Sequence, residues 1–327
     1  MDKRKIMHKV SIIGLGQAGL RHLHAVKQLK NTEIYAVADV ETSNIENIEL
    51  DAHVKRSIDY QSIDQTDGLV IVALPHSMLM ECSTHFLKLG NHVLIEKPMC
   101  FNLKEALDFE KRNKQILHRI SVSYVHRFRR EIIKLQEWLN DKQLGKLIST
   151  NSEIYTLKRN PLPRWLLDHK TSGGGVLIYS AIHTIDMLQW LINGKCQKVA
   201  ANLKMINGSN IEEVAVCRLE FDNGIISNLN ISVVENRKTT RWKTTFYFEN
   251  GIIELLVKKS LKLIADHKTL EFKTDSHLDE NYNFYQQIVQ VMNYVNNNSQ
   301  LNIGFEEGKE SLRILDNLYV ANQMNNQ

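Results

Sequence analysis

Apolar residues recur along this chain in two rhythms. Over the first 125 residues, short continuous apolar runs alternate with stretches of helical spacing. Residues 10–13, 34–38, 68–74, 92–95 and 119–125 predict strands. Residues 17–29 predict a helix, with Leu20, Leu23, Val26 and Leu29 near one face; so do 78–89, closed by Gly90, and 103–112. Strands that are apolar throughout and separated by helices predict a parallel sheet covered on both faces. The polar stretch 42–60 predicts only a shortened helix and a short strand.

Beyond about residue 125 the rhythm changes. Residues 132–139 predict a helix, 146–157 a strand and 160–164 a proline-containing loop; Ser172-Gly173-Gly174-Gly175 then precedes a helix over 176–192. Strands follow one another over 197–206, 212–221, 224–234, 240–248 and in shorter pieces to about 272. Asp222-Asn223-Gly224 and Glu249-Asn250-Gly251 read as hairpin turns between them. Helices over 281–297 and 305–323 close the chain. The fold expected is an α/β dinucleotide-binding domain over 1–124, then an α+β domain for substrate binding and oligomerisation over 125–327 with a large, mostly antiparallel open sheet. On that sheet Val214, Val216, Ile225 and Leu229 are expected to lie uncovered in a single chain.

Charge and cysteine usage narrow the classes of function. Lys and Arg total 41 against 37 Asp and Glu, and they do not gather on one segment, which speaks against a nucleic-acid binder. The two dense basic runs, Lys3-Arg4-Lys5 and residues 127–130, read as solvated surface. Cys82, Cys100, Cys196 and Cys217 are too far apart for zinc-ribbon or thioredoxin-type spacing, and reduced cysteines fit a cytoplasmic protein. No apolar run approaches the ~18 residues of a membrane span, and the charged start is unlike a signal peptide. His22 and His24, two apart on a helix, make a poor metal pair, and no metal is expected.

The chemistry begins at Gly14-Leu15-Gly16-Gln17-Ala18-Gly19. This G-x-G-x-x-G follows the first strand and opens the first helix. The first glycine permits the tight turn, the second lets backbone approach a pyrophosphate, and the third lets helix pack on strand. The helix start directs N–H groups and its positive dipole end at the phosphates. The second strand ends at Asp39, 20 residues after Gly19, where a carboxylate accepts from ribose hydroxyls. It also repels a 2′-phosphate, and Val40, Glu41, Thr42 and Ser43 bring no arginine, so NAD is expected over NADP. Lys97 follows an apolar strand at the carboxyl edge, where open α/β sheets place their ligands.

Four segments together resemble the glucose–fructose oxidoreductase and inositol dehydrogenase family, across nearly the whole chain. They are GLGQAGLRH at the start, Ala73-Leu74-Pro75-His76 after the third apolar strand, HVLIEKP over 92–98, and SGGGVLIYSAIHTID over 172–186. The resemblance implies a Rossmann domain that binds cofactor through Gly14, Gly16, Gln17, Ala18, Gly19, Asp39, Leu74, Pro75, His76, Glu96 and Lys97, with the Lys97–Pro98 peptide cis. It implies that Lys97 and His183 handle the proton, and that Tyr124, Arg164, Trp165, Tyr179 and His183 line the substrate. It also implies a homodimer or homotetramer joined through the second domain's sheet.

Two positions depart from the family's pattern. Tyr179 stands where inositol-type relatives carry aspartate, and Ala181 where glycine is usual. Tyr179 beside a cation is a candidate proton carrier in its own right, or simply an amphipathic helix residue. The triple glycine reads either as a backbone cradle for a substrate oxygen or phosphate, or as close packing. Arg159 and Arg164 read as a clamp for an anionic sugar derivative, or as surface. The activity expected is hydride transfer between nicotinamide and a secondary hydroxyl or ketone of a sugar, polyol or nucleotide-sugar. Reduction of an imine or trans-dihydrodiol on the same scaffold is a second enzymatic reading. A dinucleotide-sensing protein without catalysis is the reading from another class.

Overall fold

A computed structural model describes residues 8–157, 163–206, 208–234, 238, 240–266, 268–274, 281–297 and 299–325. Lys3-Arg4-Lys5, Arg159 and most of the proline-containing loop lie outside the described residues. The chain divides into two compact units, one of residues 1–125 and 281–309, the other of 126–280 and 310–327. A single cut near residue 125 therefore misses a return: 281–309 belong with the first unit.

In the first unit six strands form one parallel sheet in the order β3-β2-β1-β4-β5-β6. These are β1 (His8–Ile13), β2 (Thr32–Ala38), β3 (Lys55–Ser57), β4 (Leu69–Val72), β5 (His92–Ile95) and β6 (Ile120–Val122). Leu69 to Val72 and Val93 to Ile95 are fully buried, as the unbroken apolar runs require of central strands covered on both faces. Helices α1 (Gln17–Lys27), α2 (Thr42–Glu46), α3 (His76–Lys88) and α4 (Leu103–Asn113) connect them. Strand order turns back between β1 and β4, the switch point at which such sheets bind ligands. The sixth strand is shorter than expected, and a 3-10 turn follows it at Val125–Phe128. Later in the chain α8 (Tyr282–Asn297) packs on α1, where the Phe284 ring meets His22 edge-on at 4.8 Å.

In the second unit eight strands form a sheet in the order β14-β13-β12-β11-β7-β10-β9-β8. They are β7 (Leu147–Leu157), β8 (Cys196–Lys204), β9 (Val214–Phe221), β10 (Ile226–Val234), β11 (Arg241–Phe248), β12 (Gly251–Leu256), β13 (Ser260–Ala265) and β14 (Lys268–Lys273). Every neighbouring pair is antiparallel except β7 with β10. Alternation along β9 and β10 turns Ala215, Cys217, Leu219, Leu229 and Ile231 to the buried face. This corrects the expectation for the open face. Leu229 and Ile225 are buried within the chain and Val214 is half-buried, which leaves Val216, 49% exposed, as the uncovered one of the four.

The basic run 127–130 is not solvated surface either. Arg127 and Arg129 are buried, and Arg127 is paired. Helices α5 (Arg130–Leu139), α6 (His169–Ser172), α7 (Ile182–Ile192) and α9 (Phe305–Asn325) complete the described helices. The helix expected over 176–192 begins as a π-turn, Leu177–Ala181, before α7. The stretch His169–Ile192 is long and apolar enough to cross a membrane by length and composition, and 78% of its most apolar window is buried inside the fold. The expectation that no run approaches that length considered unbroken apolar residues; mean hydropathy passes over the interspersed Ser, Thr and Gly.

Candidate active site

The glycine loop after β1 is held from three sides. Gly14 sits at φ +89°, and a Cβ there would lie 2.3 Å from the Ala73 carbonyl oxygen at the end of β4. A Cβ on Gly19 would lie 1.8 Å from the Gly14 carbonyl oxygen, so only glycine lets α1 approach β1 this closely. Gly16 is different: a Cβ there meets nothing within 4 Å. It is the N-cap of α1, no side chain caps that helix start, and no acidic residue occupies its first turn. The positive end of α1 therefore faces open space beside a residue with no side chain, which fits a pyrophosphate.

Asp39 lies just past β2 and is partly buried. Its Oδ2 accepts the Leu15 N–H at 2.6 Å and its Oδ1 accepts the Glu41 N–H at 2.9 Å. Each oxygen keeps a second lone pair, so the carboxylate braces the loop and still has acceptor capacity for a ribose hydroxyl. Leu74 lies against Gly14, with its Cδ2 3.1 Å from the position of a Cβ there. Pro75 is the N-cap of α3, and His76, its first residue, is buried. Gln17 and Ala18 form the first turn of α1, Gln17 exposed and Ala18 half-buried. The residues present thus fit a dinucleotide.

At the same sheet edge, beyond β5, the Lys97–Pro98 peptide is cis. Lys97 is half-exposed at its surface, but burial of its ammonium lowers its pKa to about 8, against the neighbouring Glu96 charge, which raises it. Glu96 turns inward. Its Oε1 receives His22 Nε2 at 2.9 Å and the Ser123 hydroxyl at 2.8 Å, and its Oε2 accepts the Lys97 N–H at 3.2 Å. Burial works against the charge on Glu96; His22, the Lys97 ammonium and Ser123 outweigh it and leave the carboxyl below its ordinary range. Both oxygens of Glu96 thus accept from protein, and Oε2, with one donor, keeps acceptor capacity for the expected cofactor contact. Tyr124, which follows β6, is buried.

In the second unit the His183 ring, on α7, stacks on His126 with centroids 4.3 Å apart and planes 13° from parallel. Trp242 of β11 lies 4.7 Å from His126, and its Nε1–H donates to the Thr184 hydroxyl at 2.8 Å. Asp186, one turn beyond His183, accepts both Arg127 Nε at 2.9 Å and Arg127 Nη2 at 2.7 Å, fully buried. Tyr179 precedes His183 in the π-turn. Burial, reinforced by the Glu212 and Glu213 charges, pushes its phenol well above the ordinary range. That overturns the expectation of a cation-lowered tyrosine: Tyr179 holds its proton, and its hydroxyl can donate as well as accept a hydrogen bond. Arg164 is exposed and Trp165 half-buried on a short turn.

The triple glycine is closed by protein. Glu212 Oε2 accepts the Gly175 N–H at 2.7 Å, and its Oε1 accepts the Leu177 N–H at 3.1 Å and the Tyr319 hydroxyl at 2.8 Å. Its carbonyl accepts the Val176 N–H at 3.0 Å. A Cβ on Gly175 would lie 1.9 Å from that carbonyl oxygen, and one on Gly174 2.0 Å from the Tyr319 hydroxyl. Of the two readings of this run, close packing is the one observed. Among the described residues no three His, Cys, Asp or Glu side chains gather to hold a metal ion.

Sequence reasoning passed over Ser123, Gln287, Trp242 and Glu212. Their only sequence signal is polarity or an aromatic ring within an apolar segment. Each meets its partner across many intervening residues.

Residues 8–124 match the family model described as the oxidoreductase family, NAD-binding Rossmann fold, and residues 132–254 match that of the GFO/IDH/MocA C-terminal domain. The chain belongs to this family. Among its relatives is a glucose-6-phosphate 3-dehydrogenase of Bacillus subtilis, 30% identical over 208 residues, or 61% of this chain and 58% of that one. A 1-carboxy-3-chloro-3,4-dihydroxycyclohexa-1,5-diene dehydrogenase of Comamonas testosteroni is 25% identical over 231 residues, 68% of this chain and 57% of that one. The match thus spans less than two thirds of these two relatives. The WlbA dehydrogenase of Bordetella pertussis, solved with NADH and UDP-GlcNAcA, superposes with a TM-score of 0.83 over 97% of this chain and 96% of that one, at 15% identity. At that identity the likeness speaks to the fold.

Proposed function

We propose that this family member is an NAD-dependent dehydrogenase that transfers hydride between nicotinamide and a secondary hydroxyl, or the matching ketone, of a sugar, polyol or nucleotide-sugar. One observation carries the reading: Lys97, with its proton affinity lowered to about 8, stands on the same carboxyl sheet edge as the open glycine loop. When bound, the nicotinamide supplies or accepts the hydride. Lys97 holds or takes up the hydroxyl proton, and an amine that titrates near the working pH suits that task. His183 is the second unit's candidate for proton handling or substrate binding. Tyr179 serves as a hydrogen-bond donor to substrate, with Tyr124, Arg164 and Trp165 as further lining. Gly14, Gly16, Gln17, Ala18, Gly19 and Asp39, with Leu74, Pro75 and His76, hold the dinucleotide, and Asp39 favours NAD. The names of the relatives, which act on sugar and ring hydroxyls, support this substrate class.

The test is a cofactor-absorbance screen of sugars, polyols, sugar phosphates and nucleotide-sugars with NAD and with NADP. Turnover of at least one substrate, at higher kcat/KM with NAD, is expected, together with faster oxidation as pH rises through about 8 and Lys97 loses its proton. Binding of NAD without turnover of any substrate points to a sensor instead. The exposed side chains of Val216 and Tyr247, on the face of the second unit's sheet turned away from its buried residues, support a dimer or tetramer. Light scattering at micromolar concentration is expected to give at least twice the mass of one chain.

A further inference from the structure

The first unit contains a buried polar cluster that cofactor binding does not explain. His22 lies on α1, three residues beyond Gly19, and is fully buried. Ser123 follows β6 and Gln287 lies on α8; both are fully buried. The three converge on Glu96, which precedes Lys97 in sequence: His22 Nε2 and Ser123 Oγ reach Glu96 Oε1, and Gln287 lies 3.2 Å from the Ser123 hydroxyl. Burying four polar groups is costly unless they satisfy one another, and a carboxylate is the costliest of them.

The donors decide its charge state. Ser123 has one proton, and its shortest contact is to Glu96. Among the described residues His22 Nδ1 has no hydrogen-bond partner, so the ring carries its proton on Nε2 and donates it to Glu96. With the Lys97 N–H, Glu96 thus accepts three hydrogen bonds and has no proton of its own to give. Three donors on a buried carboxyl favour the anion. Arg21 lies beyond the Phe284 ring, 5.9 Å from its centroid, and Gln287 is neutral. The ammonium of Lys97, the next residue, adds an opposite charge that also favours the anion.

We propose that His22 and Ser123 are positioning residues that hold Glu96 inward as an anion beside Lys97, whose N–H it accepts, and that this fixed anion helps the buried Lys97 ammonium keep its proton. The cofactor loop and the proton-carrying lysine are then joined through α1: the helix that begins at Gly16 also presents His22 to Glu96. The consequence for catalysis rests on the function proposed above, whereas the link itself is a property of the cofactor-free protein and is tested there.

The experiment is NMR titration of lysine-labelled whole protein without cofactor, with the Lys97 side-chain signal assigned by its loss in Lys97→Arg. The wild-type midpoint is expected near 8. In Glu96→Gln it falls by about one pH unit, as expected for removing a neighbouring opposite charge near a protein surface. In His22→Leu it falls in the same direction by less, because Ser123 and the Lys97 N–H still hold the carboxylate. In the double variant it equals that of Glu96→Gln alone, because the effect of His22 passes through Glu96. The proposal is overturned by a Lys97 midpoint unmoved in Glu96→Gln or in His22→Leu, or by a His22→Leu shift of the same size in the Glu96→Gln background. If His22→Leu does not fold, His22→Gln takes its place, with the same direction expected. A catalytically silent protein with the expected titrations contradicts the proposed function and leaves this link standing.

Discussion

Two glycine runs open helices in this protein, and they do opposite things. At Gly14–Gly19 the outer two glycines are pressed against backbone, while Gly16 faces open space at a helix start without a side-chain cap. At Gly173–Gly175 the helix start is covered: Glu212 accepts from Gly175, Leu177 and, through its carbonyl, Val176. The helix dipole favours an anion in both places. In the first unit that place is open. In the second the Glu212 carboxyl fills it, and the Tyr319 hydroxyl donates to the same group. A glycine run at a helix start is thus evidence of a close approach, and what approaches is decided by the residue opposite.

The sharpest way to break this contrast is to add one methyl group to each run. Gly175→Ala forces a Cβ into the Glu212 backbone, and overpacking against main chain should cost about 3 kcal/mol or more, read as a large fall in Tm or loss of soluble protein. Gly16→Ala enters open space and should change stability by less than about 1 kcal/mol while weakening NADH binding at least tenfold. If Gly16→Ala binds NADH as tightly as wild type, the dinucleotide does not approach there. If Gly175→Ala is as stable as wild type, the packing described for the second run is wrong.

A smaller effect sharpens the second half of the contrast. Glu212→Ala leaves two buried backbone N–H groups without their acceptor, at a cost of about 2–4 kcal/mol, with NADH affinity unchanged. Burial raises the Glu212 carboxyl above its ordinary 4.5 in spite of the donors around it. A carboxyl raised by folding stabilises the fold below its unfolded value and loses that contribution as pH rises through the folded one. Wild type should therefore lose stability relative to Glu212→Gln as pH rises from about 4.5 toward neutrality, as read from urea unfolding at several pH values. A difference independent of pH argues against a buried, raised carboxyl.

What was legible in the sequence followed from local pattern. The buried parallel strands showed as unbroken apolar runs, β5 to the residue, and the hairpins at Asp222-Asn223-Gly224 and Glu249-Asn250-Gly251 showed as turn chemistry. Strand β3, an edge strand with Lys55 and Arg56 exposed, has no such run and was only faintly indicated. Partners distant in sequence were not legible. Arg127 looked like surface because its neighbours are basic, and its partner Asp186 lies 59 residues on. The stack of His126 on His183 and the closure of the triple glycine by Glu212 depend on the same kind of long-range meeting. The π-turn at Leu177–Ala181 left no mark either, since its residues are as apolar as those of the helix that continues it.

The central claim is that Lys97 carries the proton in an NAD-dependent oxidation. Its most direct test compares wild type and Lys97→Ala in NADH binding and in turnover of whichever substrate the screen identifies. The account predicts NADH affinity within about threefold of wild type and kcat lower by about 10²–10⁴. Turnover undiminished in Lys97→Ala would contradict it.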